Sequence, residues 1–77
     1  MQLDRTAPEP LYQQLADLLR TQIETGHLQP RTAIPSVSAL AAGYGISEVT
    51  AKQAVDVLKH EGLVHGVPGK GTFVAER

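Results

Sequence analysis

Three residues in the middle of the chain, Gly43-Tyr44-Gly45, limit its fold more than any others. Glycine in a helix interior costs about 1 kcal/mol relative to alanine, and two within three positions stop a helix that reaches them. On either side stands a serine placed to open a helix: Ser36 before Val37-Ser38-Ala39-Leu40-Ala41, and Ser47 before Glu48-Val49-Thr50-Ala51. A serine hydroxyl in that position accepts from the free N–H groups of the following turn. The middle of the chain therefore holds two helices separated by a tight turn, one from Val37 to about Gly43 and one from about Glu48 to His60. Val37, Leu40 and Ala41 share a face of the first, and Ala51, Ala54, Val55 and Leu58 form the inward stripe of the second.

The flanking segments supply what such a pair packs against. Leu11, Leu15, Leu18, Leu19 and Ile23 recur at the spacing of a buried helical stripe, which predicts a helix from Leu11 to Thr25. Pro10 suits its first turn and Gly26 the position just past its end. Ahead of it, residues 1–9 contain Pro8 and both signs of charge and read as a flexible N-terminal arm, leaving 10–77 as the domain proper. Pro30 and Pro35 keep 27–35 out of any helix, while Ala33 and Ile34 suit a very short strand. Gly62 ends the third helix. Leu63, Val64 and Val67 then form a strand, Pro68-Gly69-Lys70-Gly71 a tight reversal and Thr72-Phe73-Val74 a second strand, with Phe73 expected to pack inward. The predicted fold class is mainly α with a small antiparallel β hairpin, in the order of a three-helix winged helix-turn-helix.

Size and composition narrow the function. A chain of 77 residues is one domain that buries about 60 % of its unfolded surface, enough for one small core and not for a deep enzyme pocket. With no cysteine there is no disulfide, no thiol nucleophile and no cysteine-based zinc site. No Ser/His/Asp constellation fits elements this short, so no catalytic residue and no cofactor is expected. Gly66 to Thr72 has the glycines and lysine of a phosphate loop, but Gly71 stands where that motif needs Ser or Thr, and β-prone residues follow where it needs a helix. His60 and His65 straddle the end of the third helix without a third ligand, and His27 lies in a distant loop, so no metal is expected. The opening residues lack a basic region followed by an apolar run, and no apolar stretch reaches the roughly 18 residues of a membrane span. The expected location is the cytoplasm. Seven Lys plus Arg against eight Asp plus Glu give a net charge of −1, spread evenly along the chain, so the sequence carries no basic half to announce a nucleic-acid partner.

The motifs do announce one. Pro10-Leu11-Tyr12-Gln13-Gln14-Leu15-Ala16, Ile34-Pro35-Ser36, Leu40-Ala41, Gly45-Ile46-Ser47, Thr50, Glu61-Gly62-Leu63-Val64 and Gly69-Lys70-Gly71-Thr72-Phe73-Val74 follow one another at telling spacings. This ordered set, over roughly residues 10–75, resembles the N-terminal DNA-binding domain of the GntR family of bacterial transcription regulators. The resemblance implies a winged helix-turn-helix on double-stranded operator DNA, with the third helix in the major groove and the 66–73 hairpin as wing. It further implies a repressor working as a homodimer, held by a C-terminal domain that binds a small-molecule effector. Since the sequence stops at Arg77, just past the wing, the expectation is an excised DNA-binding domain or a minimal protein, with an effector only if a further domain exists.

By the same resemblance, DNA contacts come from Ser36 and Ser38 at the start of the second helix. Ser47, Glu48, Val49, Thr50, Lys52 and Gln53 supply them from the first turns of the third, and Pro68, Gly69, Lys70 and Gly71 from the wing tip. Ser38 and Glu48 stand where family members carry arginine, and Lys52 keeps an arginine's charge without its bidentate fork.

Helical geometry independently leaves Glu48, Val49, Lys52, Gln53 and Asp56 facing outward. Ser47 and Thr50 hydroxyls and the helix N-terminus suit phosphates. Val49 suits a thymine methyl, Gln53 an adenine edge and Glu48 the cytosine amino group. Plainer readings exist for each: polar helix faces are ordinarily solvated, an acid in a first turn is favoured by the helix dipole, and wing glycines serve any tight hairpin. Tyr12 and Tyr44 are expected to place a ring at the core edge. The alternative function is a winged-helix protein-interaction module with weak or no DNA binding, in which Val37, Val49 and Val57 form an exposed apolar surface.

Overall fold

The computed structural model describes residues 3–76. Its elements in chain order are α1 (Leu11–Glu24), α2 (Val37–Tyr44), α3 (Glu48–His60), β1 (Val64–Val67) and β2 (Gly71–Val74). Their boundaries follow from local chemistry. α1 starts from the Pro10 carbonyl, which accepts from the Gln13 and Gln14 N–H groups at 3.1 Å, and it stops at Glu24 because Thr25 takes the C-cap position. Ser36 Oγ accepts from the Ala39 N–H and Ser47 Oγ from the Thr50 N–H, each at 3.1 Å, so both predicted serine caps form. α2 runs one residue beyond the expected Gly43. The residue that turns left-handed is Gly45, at φ 66°, where its N–H returns to the Ala41 carbonyl and a side chain would be strained.

α3 lies at the centre, packed against α1, α2 and β1. Its Ala51, Ala54 and Leu58 are fully buried in one cluster with Leu15, Leu19, Leu40 and Val74. Tyr12 and Tyr44 pack against the edge of this core, as their positions suggested.

The hairpin pairs Val64 with Val74 and His65 with Phe73 in antiparallel register. Because alternate residues face opposite sides, the buried Val74 sends Phe73 to the other face, where it is only half-buried. The inward Phe73 of the sequence reading is thus corrected: Val64 and Val74 fill that position. Ala33 joins as a single antiparallel bridge to Phe73, flanked by an Ile34 N–H to Thr72 carbonyl bond of 2.9 Å. The reversal at Pro68 and Gly69, with Gly69 at φ 75°, is closed by a 3.0 Å bond from the Lys70 N–H to the Val67 carbonyl.

Residues 3–9 are folded against this framework. Asp4 exchanges two 2.7 Å bonds with the Gln14 amide, whose nitrogen also donates to the Glu9 carbonyl at 2.9 Å, and Leu3 packs on the core. Between the helices, Arg20 of α1 forms a two-pronged pair with Glu61 at the end of α3 (2.9 and 2.7 Å). Glu61 and then Asp17 hold the Arg20 guanidinium above its ordinary pKa.

Candidate nucleic-acid interface

The turn from Gly45 to Ser47 presents the N-terminal end of α3. Its first intrahelical bond runs from the Ala51 N–H to the Ser47 carbonyl, at 3.0 Å. That leaves the N–H groups of Glu48, Val49 and Thr50 outside the helical ladder. Ser47 Oγ satisfies Thr50, so Glu48 and Val49 carry the open donors of the turn. The Ser47 hydroxyl is doubly engaged, since it also donates to Thr50 Oγ1 at 2.9 Å. The Thr50 hydroxyl keeps its own proton for an outside acceptor. These groups and the helix dipole form an anion-favouring end. The Glu48 carboxylate, in the first turn, lies where it offsets that field.

Further along α3, Val49, Lys52 and Gln53 are exposed beside one another, Val49 at 70 %. Lys52 donates to Asp56 at 2.9 Å in an exposed i,i+4 pair, so its charge is partly neutralised within the helix. Gln53 stands at the margin, where it also lines a groove with Tyr12, Asp56, Val57, His60 and Glu61. On α2, Ser36 and Ser38 are both exposed, with the Ser36 oxygen already engaged as the helix cap. At the far end of the hairpin Pro68, Gly69, Lys70 and Gly71 are all exposed. The predicted residues thus fall on the α2 start, the α3 start and the hairpin tip.

One sequence reading needs correction here. Val37 and Val57 pack against the core, so the apolar surface expected to include them is reduced to Val49 alone. His60 and His65 line separate grooves, His65 sharing its own with Arg31, Val67, Lys70 and Phe73. Among the described residues no helix is long and apolar enough to cross a membrane, and no three metal-ligating side chains come together.

Sequence reasoning passed over Arg5. Its guanidinium donates to the carbonyl of Gly45, in the turn that leads into α3. The contact spans 40 positions along the chain, and no local pattern signals it.

Comparison with known proteins agrees with this geometry. Residues 11–74 match the model of the bacterial regulatory proteins of the gntR family. The HTH-type transcriptional repressor NagR of Bacillus subtilis is 41 % identical over 76 residues, which span 99 % of this chain and 31 % of that protein. The chain therefore corresponds to about a third of that relative's length. The DNA-binding domain of AraR, solved in complex with operator ORX1, superposes with a TM-score of 0.90 at 31 % identity and covers 97 % of this chain and 95 % of that one. YtrA from Sulfolobus acidocaldarius, a GntR-family transcription factor, gives 0.90 at 29 % identity over 97 % of this chain and 79 % of that one. Three helices with the α2–α3 turn at Gly45, a hairpin closing at Gly69 and a family match over nearly all of the chain lead to one assignment: the chain belongs to the gntR family of bacterial regulatory proteins.

Proposed function

We propose that this domain binds double-stranded operator DNA as the reading head of a transcription repressor, with α3 in the major groove and the hairpin as a wing beside it. The observation that carries the reading is the α3 N-terminus, where two open N–H groups, the Thr50 hydroxyl and the exposed Val49, Lys52 and Gln53 stand together. Phosphate is held by the N–H groups, by Thr50 and by the wing, where Gly69 and Gly71 admit close backbone approach and Lys70 adds charge. Base edges are read by Val49, by Gln53 and, at cytosine, by Glu48. Ser36 and Ser38 at the start of α2, with Ser47 and Pro68, border the same DNA.

A single half-site contact from a domain of charge −1 is weak, so the working form is a homodimer on two half-sites. The relative NagR, a transcriptional repressor of which the chain matches about a third, supports the repressor reading; a cytoplasmic location and, where a further domain exists, a small-molecule effector belong to the same proposal. Titration of the labelled domain with an operator-like duplex tests the interface. Amide signals of Ser47 to Gln53 and Gly69 to Thr72 are expected to shift together. Shifts confined to α1, or none at low salt, would overturn the reading.

A further inference from the structure

The cations of the described chain sort by their partners. Arg20 is held by Asp17 and Glu61, Lys52 by Asp56, and Arg31 lies 4.0 Å from Glu76. Arg5, Lys59 and Lys70 make no ion pair among the described residues. On the outward face of α3 the bases Lys52 and Lys59 are matched by the acids Glu48 and Asp56, so that face brings no net positive charge to a phosphate backbone. The charge that DNA requires must come from its borders. Lys70 stands on one border, at the hairpin tip, and Arg5 on another, at the turn entering α3.

Arg5 reaches that turn on a braced support. The Asp4 carboxylate accepts from the Thr6 hydroxyl at 2.7 Å and the Thr6 N–H at 2.9 Å, and these bonds hold its pKa below the usual carboxylate value. The Asp4 backbone is clamped by Gln14 of α1, and Leu3 is packed on the core. From this anchored turn the Arg5 guanidinium crosses to the Gly45 carbonyl, two residues before the cap of α3 and so within about 7 Å of it along the chain. A guanidinium has five N–H donors, and with one given to Gly45 the others remain on an exposed side chain. A phosphate seated at the open N–H groups of α3 has this charge on the turn that leads into the same helix end.

We propose that Arg5 is a DNA-contacting residue. It binds a backbone phosphate beside the N-terminus of α3 and supplies charge that the α3 face lacks. The proposal rests on the DNA-binding reading above and adds to it a contact from outside the helix-turn-helix and the wing. The planar fork accepts two phosphate oxygens, and the braced arm reduces the conformational freedom lost on binding.

Fluorescence anisotropy with a labelled mixed-sequence duplex of about 20 base pairs, at salt concentrations from about 50 to 200 mM, tests it with R5Q, R5K and K70Q beside the parent domain. R5Q is expected to bind about fivefold or more weakly at the lowest salt, with a log–log salt slope shallower by about 0.9, the value of one lost phosphate contact. R5K keeps the charge and is expected to keep the slope. Loss of the Gly45 contact alone lowers the thermal midpoint and the affinity but leaves the slope unchanged, and that result overturns the proposal. A slope reduced in K70Q and unchanged in R5Q refutes the Arg5 contact while leaving the DNA-binding reading in place. No binding by the parent domain at the lowest salt removes both.

Discussion

Two turns of this molecule have the same plan and different third residues. Pro68-Gly69 is closed by the Lys70 N–H to the Val67 carbonyl, and Pro30-Arg31 by the Thr32 N–H to the Gln29 carbonyl at 3.2 Å. Gly69 takes φ 75° freely, whereas Arg31 takes φ 67° with a β-carbon, the one non-glycine with positive φ among the described residues. Left-handed backbone costs an ordinary residue about 1–2 kcal/mol, part of which glycine returns through the greater entropy of its unfolded chain. Arg31→Gly is therefore expected to stabilise the domain by about 0.5 kcal/mol, a rise of roughly 2–4 °C in thermal midpoint. Scanning calorimetry checks it, and an unchanged or lower midpoint contradicts the strain. Its exposed contact with Glu76, at 4.0 Å, contributes too little to reverse the sign. The Asp4 turn has a pH signature. Bonds from Thr6 depress the Asp4 pKa, so the stabilisation is complete above the ordinary value of 3.8 and is lost as pH falls through the lower folded value. The Thr6 amide signal should titrate with a midpoint below 3.8, and a midpoint at or above it would show that the turn is not held.

At the scale of elements, α3 was legible from end to end because its signals are local. Ser47 and Gly62 bracket it, and its inward stripe has an unbroken helical period. The hairpin was legible as an element but not in its facing: Thr72-Phe73-Val74 has no polar alternation to say which side is inward, and pairing with Val64 and Ala33 decides it. Val37 and Val57 lie at the margins of their helical stripes, where the neighbouring element determines exposure. The arm was the least legible, since its partners Gln14 and Gly45 are 10 and 40 positions away. The outward-facing residues of α3 follow from the same period as its core. Their charge balance becomes physical only with the Lys52–Asp56 pair in view. Glu48 tests the balance between stability and binding in one substitution. Glu48→Arg removes a favourable acid from the helix N-terminus, costing about 0.5–1 kcal/mol of stability, yet adds positive charge where phosphate is proposed to sit. Denaturant unfolding and duplex binding are expected to move in opposite directions, with affinity rising about tenfold at low salt. Affinity that stays level would remove Glu48 from the interface.

As a whole, the molecule measures 34 × 26 × 20 Å and carries a net charge of −1. Its longest dimension is close to the roughly 34–36 Å between successive half-sites on one face of DNA, a length compatible with the proposed reading of two copies on adjacent half-sites. Two domains joined by a flexible linker, on a duplex with two half-sites, are expected to bind at least about 100-fold more tightly than one, with about twice the salt slope. A gain no larger than the twofold of statistical doubling would show that the two sites are not engaged together. The alanine-lined inner side of α3 has a consequence for diversification. Ala51 and Ala54 meet the core with no exposed surface, while Glu48, Val49, Lys52 and Gln53 are exposed. The outer letters of this helix can be rewritten without renegotiating the interior. On the DNA-binding reading proposed above, a lineage carrying such a domain can change the address it recognises by ordinary point mutation, with selection on fold and selection on target acting on different residues of the same thirteen-residue helix.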